Sequence, residues 1–165
     1  MTADVRRGTR SGIGYDSHRF VPGGPMKLGG VSIPMDVHLH GHSDGDAIAH
    51  AVTDAILGAA ALGDIGAMFA DTDPVNAGRD SIEMLRLAAS QLEVAGWRVQ
   101  QVDVVVIAET PKIAPHRDAM RDRIGGAVGL GRADVSIKGK TNEGMGFVGR
   151  GEGIACMATA TIVAR

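Results

Sequence analysis

Three residues raise the question of chemistry: Asp16 and His18, two positions apart, and His50 in the segment H-S-D-G-D-A-I-A-H. If residues 12–20 form a strand, positions i and i+2 share a face, so the Asp16 carboxylate and the His18 imidazole reach one point. If a helix follows H-S-D-G-D, then Asp46, His50 and Asp54 recur every four residues on one side of it. That side lies away from an apolar stripe of Ile48, Val52, Ile56 and Ala59. One carboxylate, two imidazoles and an open fourth position make a catalytic type of zinc site, and zinc polarises phosphoryl oxygens as a Lewis acid. The same D-x-H spacing also suits a solvated strand face; the downstream H-S-D-G-D-x-x-x-H segment favours the metal.

Other residues point to phosphate. His42 and Ser43 stand where the helix would begin, and a helix N-terminus favours anions through free N–H groups and its dipole. Ser43 can also simply cap the helix. K-G-K-T-N-E at 138–143 offers Lys140 and Thr141 as phosphate donors and Glu143 as a hard oxygen ligand for Mg2+ or Mn2+; an ordinary Lys/Glu-bearing turn reads the same way. A-E-T-P-K-I-A-P-H at 108–116 can present backbone groups to a planar base, or merely join a strand to a helix.

The elements that must position these groups follow from pattern. After a polar leader over residues 1–10, strands are expected at 12–20, in M-K-L-G-G-V-S-I-P as two short pieces, at 102–108, at 133–139 and at 154–164. Residues 36–42, 64–79 and 144–153 read as loops. Ser43, with Asp46 three residues on, resembles a capping box opening a helix that stops near Gly63. A second helix is expected from Ser81 to Ala95, with Ile82, Leu85, Ala89 and Leu92 inside and Gly96 at its end. A third opens at Pro115 and buries Met120, Ile124 and Val128. The run V-D-V-V-V-I-A at 102–108 reads as a strand covered on both faces. The fold class is a single α+β or α/β domain over residues 11–165, a mixed sheet covered by helices on one face.

Composition bounds the rest. The chain has 165 residues, 44% hydrophobic and 22% charged, with a net charge of −2. That suits one globular domain and supplies no field for nucleic acid or an anionic membrane. No apolar run approaches the ~20 residues of a membrane span, and the start M-T-A-D-V-R-R-G-T-R is not a signal peptide. The single cysteine, Cys156, excludes an internal disulfide and reads as inert core, which fits the cytoplasm. Glycine is abundant at 24 residues and aromatics are scarce at 3%, so the core is thin and burial between subunits is expected.

Taken in order, G-Y-D-S-H, H-S-D-G-D-A-I-A-H, L-G-D-I-G-A-M-F-A-D-T-D-P, P-K-I-A-P-H and G-R-G-E-G-I-A-C resemble the 2-C-methyl-D-erythritol 2,4-cyclodiphosphate synthase family from Ile13 to the C-terminus. The resemblance implies an enzyme of the non-mevalonate isoprenoid route. In that family the 2-phosphate of 4-diphosphocytidyl-2-C-methyl-D-erythritol 2-phosphate attacks the β-phosphorus, and CMP leaves. It also implies a homotrimer whose sheets meet around the axis, with active sites between subunits and no protein nucleophile.

Residue by residue, the resemblance makes Asp16, His18 and His50 the zinc ligands. His42 and Thr141 become the transition-state stabilisers, and Ser17 and Ser43 substrate contacts. Asp64, Ile65 and Gly66 match ribose and methylerythritol contacts. Phe69, Ala70, Asp71, Thr72 and Asp73 match a substrate loop. Ala108, Glu109, Thr110, Pro111, Lys112, Ile113 and Ala114 match a cytosine pocket given by the neighbouring subunit. Lys140, Thr141, Asn142 and Glu143 match the diphosphate segment, with Glu143 on a Mg2+ or Mn2+ ion. Phe147 and Arg150 match further substrate contacts. Two positions depart from the pattern. Lys140 stands where many members have Thr. Met157 stands where some have a Glu paired with the Arg, which would leave Arg150 free for an isoprenoid diphosphate in a central cavity. Two rival readings remain, a metal-dependent phosphohydrolase and a non-enzymatic anion-binding scaffold.

Overall fold

The computed structural model describes residues 8–165. The first strand, β1 (Thr9–Pro22), alternates. Its residues Gly12, Gly14, Asp16 and His18 turn inward, while Ile13, Tyr15 and Ser17 turn outward. The expected leader over 1–10 therefore ends sooner: Thr9 and Arg10 already pair with Val163 and Ile162. Its residues 1–7 lie outside the described residues.

The remaining strands are β2 (Met26–Leu28), β3 (Val31–Ile33), β4 (Val37–Leu39), β5 (Trp97–Ile107), β6 (Val135–Lys140) and β7 (Gly153–Ala164). Five of them form one sheet in the order β4-β1-β7-β5-β6, and β2 with β3 forms a separate hairpin. The pairings are antiparallel except for β5 with β6, so the sheet is mixed, as expected. All three expected loops contain structure: β4 lies within 36–42, residues 64–79 hold a short helix, α2 (Ile65–Met68), and residues 144–153 hold a helical turn.

The long helices α1 (Ala47–Ala60), α3 (Ser81–Val94) and α4 (Arg117–Val128) cover one face of the sheet. A one-turn helix, α5 (Gly146–Gly149), interrupts the expected loop at 144–153. The inner sheet residues Val102, Val104, Val106, Ile154, Cys156, Ala158 and Ile162 meet Ile48, Val52, Ile56, Leu85 and Ile124 in one core. The Cys156 thiol is fully buried, and that burial pushes its pKa well up, which keeps it inert.

Two glycines set how close α1 comes to β1. A Cβ on Gly14 would lie 1.8 Å from the Ala51 carbonyl oxygen, and one on Gly12 would lie 2.1 Å from that of Ala55. Without side chains there, the helix backbone lies directly on the strand. His50, near the start of α1, is thereby brought over Asp16 and His18.

The start of α1 corrects the sequence expectation. The N-cap is Asp46, not Ser43, and the helix ends at Ala60 with Ala61 in the left-handed region, before Gly63. The Asp46 carboxylate accepts from the Ala49 amide at 3.1 Å and from the Gly29 and Gly30 amides at 2.8 and 2.6 Å. Those glycines form the β2–β3 turn, both with positive φ as a tight hairpin turn requires. Burial pushes the Asp46 carboxyl up, against the amides of Gly30, Ala49 and Gly29 that favour its charge. Asp46→Ala strips a cap and two turn amides of their acceptor. Its expected cost is about 3 kcal/mol of stability, read by urea denaturation followed by circular dichroism. A loss below about 1 kcal/mol would show that the amides find other partners.

Candidate active site

At the inner face of β1, three ligand atoms converge. Asp16 Oδ2 lies 2.7 Å from His18 Nε2 and 3.0 Å from His50 Nδ1, and the two imidazole nitrogens are 3.2 Å apart. The strand supplies the first two by alternation and α1 supplies the third. Tetrahedral zinc with bonds near 2.0–2.1 Å needs ligand atoms roughly 3.3 Å apart, so this triangle fits with an opening of a few tenths of an ångström. Oxygen and nitrogen donors suit zinc. Asp16, His18 and His50 form a group of the kind that holds a metal ion. The His18 ring is oriented from behind, since its Nδ1 lies 2.6 Å from the His40 carbonyl oxygen. A carbonyl accepts only, so Nδ1 carries the proton and Nε2 turns its lone pair inward.

The electrostatics agree. Burial alone would raise the Asp16 carboxyl, but the His18 and His50 rings against it, which favour its charged form, outweigh burial and hold the group below its ordinary value. Burial would lower His18, yet the hydrogen bond and charge of Asp16, with the His40 carbonyl, raise it.

These ligands line a cleft of about 680 Å³ together with His40, Gly41, His42, Ile65, Gly66, Phe69, Asp71 and Met84. That volume suits a nucleotide-sized ligand. Of the expected contacts, His42, Ile65, Gly66, Phe69 and Asp71 line it. Asp64 caps α2 through the Ala67 amide at 2.8 Å, and Asp54 holds the Ile65 amide at 2.7 Å. Ala70, Thr72 and Asp73 do not line the cleft: the Ala70 carbonyl accepts from Asn76 at 3.1 Å, and Asp73 caps the next turn through the Val75 amide. Phe69 is buried beneath the Arg79 guanidinium, 5.3 Å from the ring centroid. Ser43 sits beside His50, its Oγ 2.9 Å from Nε2, in the loop before α1. The first turn of α1 itself is closed off, because Asp46 fills its end and Ala47 to Ala49 are fully buried.

A second cleft of about 180 Å³ holds Ala108, Pro111, Lys112, Ile113, Ala114, Arg117, Gly139, Lys140 and Thr141. Here two separately predicted segments meet. The Glu109 carboxylate accepts from the Asn142 amide at 2.9 Å and the Gly144 amide at 3.3 Å, joining residues 108–114 to residues 140–143. Thr141 Oγ1 donates to Glu143 Oε1 at 3.2 Å. Arg117, which lines this cleft, was not singled out by sequence; its position on a helix surface gave no signal.

Within one chain the two clefts do not merge. Asp16 pairs with Cys156, Cys156 with Val106, and Val106 with Gly139. Both clefts thus lie at the same level of the sheet, but three strand spacings apart, ~14 Å. Glu143 and Thr141 do not reach the metal-type cluster in the same chain. Ser17 and Phe147 line a neighbouring cavity with His18, Arg19 and Glu152. Arg150 corrects a further expectation: it is not left unpaired by Met157, because Glu152 accepts from its Nε at 2.7 Å.

Comparison with known proteins adds a separate line of support. The model of the YgbB family matches residues 9–163. A 2-C-methyl-D-erythritol 2,4-cyclodiphosphate synthase of Gemmatimonas aurantiaca is 63% identical over 155 residues, 94% of this chain and 93% of that protein. One from Burkholderia thailandensis is 52% identical over 93% of this chain and 95% of its own. Among solved structures, a Plasmodium falciparum IspF in complex with CDP has a TM-score of 0.84 at 33% identity, covering 96% of this chain and 98% of its own. The bifunctional IspDF of Campylobacter jejuni reaches 0.92 at 37% identity over 95% of this chain, which spans 42% of that longer protein.

Proposed function

Because this chain belongs to the YgbB family, we propose that it is a 2-C-methyl-D-erythritol 2,4-cyclodiphosphate synthase. It converts 4-diphosphocytidyl-2-C-methyl-D-erythritol 2-phosphate to the 2,4-cyclodiphosphate and CMP. The observation that carries the reading is the Asp16–His18–His50 cluster at the wall of a nucleotide-sized cleft, in a chain so close to named synthases.

In the reaction an oxygen of the 2-phosphate bonds to the β-phosphorus, the bond from that phosphorus to the bridging oxygen breaks, and the oxygen leaves with CMP. Zinc held by Asp16, His18 and His50, with Mg2+ or Mn2+ at Glu143, would neutralise phosphoryl charge. The chain's own residues do the positioning. His42 and Asp71 border the reacting groups, and the α2 segment from Asp64 to Gly66 receives the sugar-alcohol part. The attack is already intramolecular, and holding nucleophile and phosphorus in contact selects the reactive conformer from the many a free substrate adopts. Lys140 and Thr141 offer donors to the diphosphate.

The site is completed by a second subunit in a homotrimer. Two observations support this. The metal-type cluster and the 108–114 and 140–143 cleft lie apart in one chain, and the outer sheet face leaves Ile13 64%, Tyr15 54% and Met157 39% exposed. The apolar run at 102–108 fits the same picture: Val105 and Ile107 are only half buried in the isolated chain and would be covered by neighbours. An isoprenoid diphosphate on the trimer axis would have to compete with Glu152 for Arg150. No helix among the described residues is long and apolar enough to cross a membrane, and the reading places the enzyme in the cytoplasm.

Product analysis by phosphorus NMR tests the proposal. The cytidylated substrate should yield CMP and one cyclic diphosphate in equal amounts. Inorganic phosphate or an open-chain diphosphate as the main product would mark a phosphohydrolase instead.

A further inference from the structure

We propose that Ser81, braced by Asp44, is a positioning residue for the metal site: it keeps the His50 ring proton on Nε2 and so presents Nδ1 as the metal ligand. The inference rests on reading Asp16, His18 and His50 as metal ligands.

The His50 Nδ1 faces Asp16 and His18, and its Nε2 faces two hydroxyls instead. Ser81 Oγ lies 2.8 Å from Nε2, and Ser43 Oγ lies 2.9 Å from it. A neutral imidazole carries one proton, and its place follows from what the second nitrogen meets. A serine hydroxyl alone would not decide this, because it can donate or accept. Asp44 removes the ambiguity. Its Oδ1 accepts a short hydrogen bond from the Ser81 hydroxyl, and its Oδ2 accepts from the Ser81 backbone amide at 3.1 Å. The Ser81 hydrogen is therefore committed to the carboxylate, and Ser81 turns only oxygen lone pairs to His50. Nε2 must be the donor, and Nδ1 is left with a free lone pair.

Ser81 has no competing duty. It is the first residue of α3, but Asp80 does the capping through the Ile82 and Glu83 amides at 2.8 and 3.3 Å. Ser81 is fully buried, so solvent does not supply an alternative partner. Asp44 is held in turn, accepting from the Asp46 amide at 3.1 Å, while its own amide donates to the Arg79 carbonyl at 3.2 Å. Ser43, by contrast, is only half-buried beside the cleft. With Ser81 holding the ring, the Ser43 hydroxyl can turn to a substrate phosphate without releasing the ligand.

The test is zinc affinity, measured on the metal-stripped full chain by competition with a chromophoric chelator. Ser81→Ala should weaken zinc binding by roughly 10- to 100-fold, and Ser81→Thr, which keeps the hydroxyl, should stay within a few-fold of the wild type. Nitrogen-15 spectra of the zinc form should show two zinc-bound imidazoles, one of them protonated on Nε2, and Ser81→Ala should perturb that resonance. Equal affinity in Ser81→Ala and the wild type would overturn the proposal, as would equal weakening by Ala and Thr. If Ser81→Ala does not fold, Asp44→Asn decides, with weaker zinc binding expected and unchanged binding against it. A wild-type chain that binds no zinc would instead end the metal-site reading itself.

Discussion

Two variants that are each inactive, assembled together in mixed trimers, recover about a third of wild-type turnover. One carries Asp16→Ala and lacks a metal ligand. The other carries Lys140→Ala with Thr141→Ala and lacks the diphosphate donors. In one chain these groups sit in different clefts, lined by separate residues, at the two sides of the sheet. If each site draws its metal half from one subunit and its 140–143 half from the next, every mixed trimer, whether 2:1 or 1:2, has both halves intact in one site of three. The measurement is CMP release by the co-expressed, differently tagged subunits after double affinity purification. A mixture that stays at the level of the separate variants would mean that both halves come from one chain.

His18→Ala should lower kcat/KM by roughly 10³-fold or more, because several kcal/mol of charge stabilisation on phosphoryl oxygen go with the metal. The zinc content of the purified protein should fall in parallel, read by elemental analysis. His18 is the apt position: its side chain bonds to the His40 carbonyl and the two other ligands and takes no part in the buried α1 core. Retained turnover in a zinc-free His18→Ala protein would support a metal-independent reaction instead.

Much of the site is legible from local spacing. Asp16 and His18 share a strand face because alternation is intrinsic to an extended chain, and His50 follows from the four-residue recurrence on α1. Cys156 sits in the core because its neighbours in sequence are apolar. What failed to show depends on partners far along the chain. Asp46 caps α1 in place of Ser43 because the Gly29 and Gly30 amides, 17 and 16 residues earlier, claim the same carboxylate. Ser81 reaches His50 across 31 residues, and its Asp-Ser context reads as nothing more than a helix start. The continuous apolar run in β5 predicts a strand covered on both faces, yet in one chain the helices cover only one. The short helices α2 and α5 escaped notice because a single turn carries no periodicity to read. The meeting of residues 108–114 with 140–143 comes from the parallel β5–β6 pairing, which no local pattern announces.

The central claim is that the substrate's own phosphate, and not water, attacks the β-phosphorus while the Asp16–His18–His50 metal holds the diphosphate. Turnover in ¹⁸O-enriched water, with products resolved by phosphorus NMR and mass spectrometry, tests it most directly. Expected are a cyclic diphosphate and CMP that both contain no oxygen from solvent, since every oxygen in the new bond was already in the substrate. Solvent ¹⁸O in CMP, or in an open-chain diphosphate formed in place of the ring, would show that the site activates water and would contradict the claim.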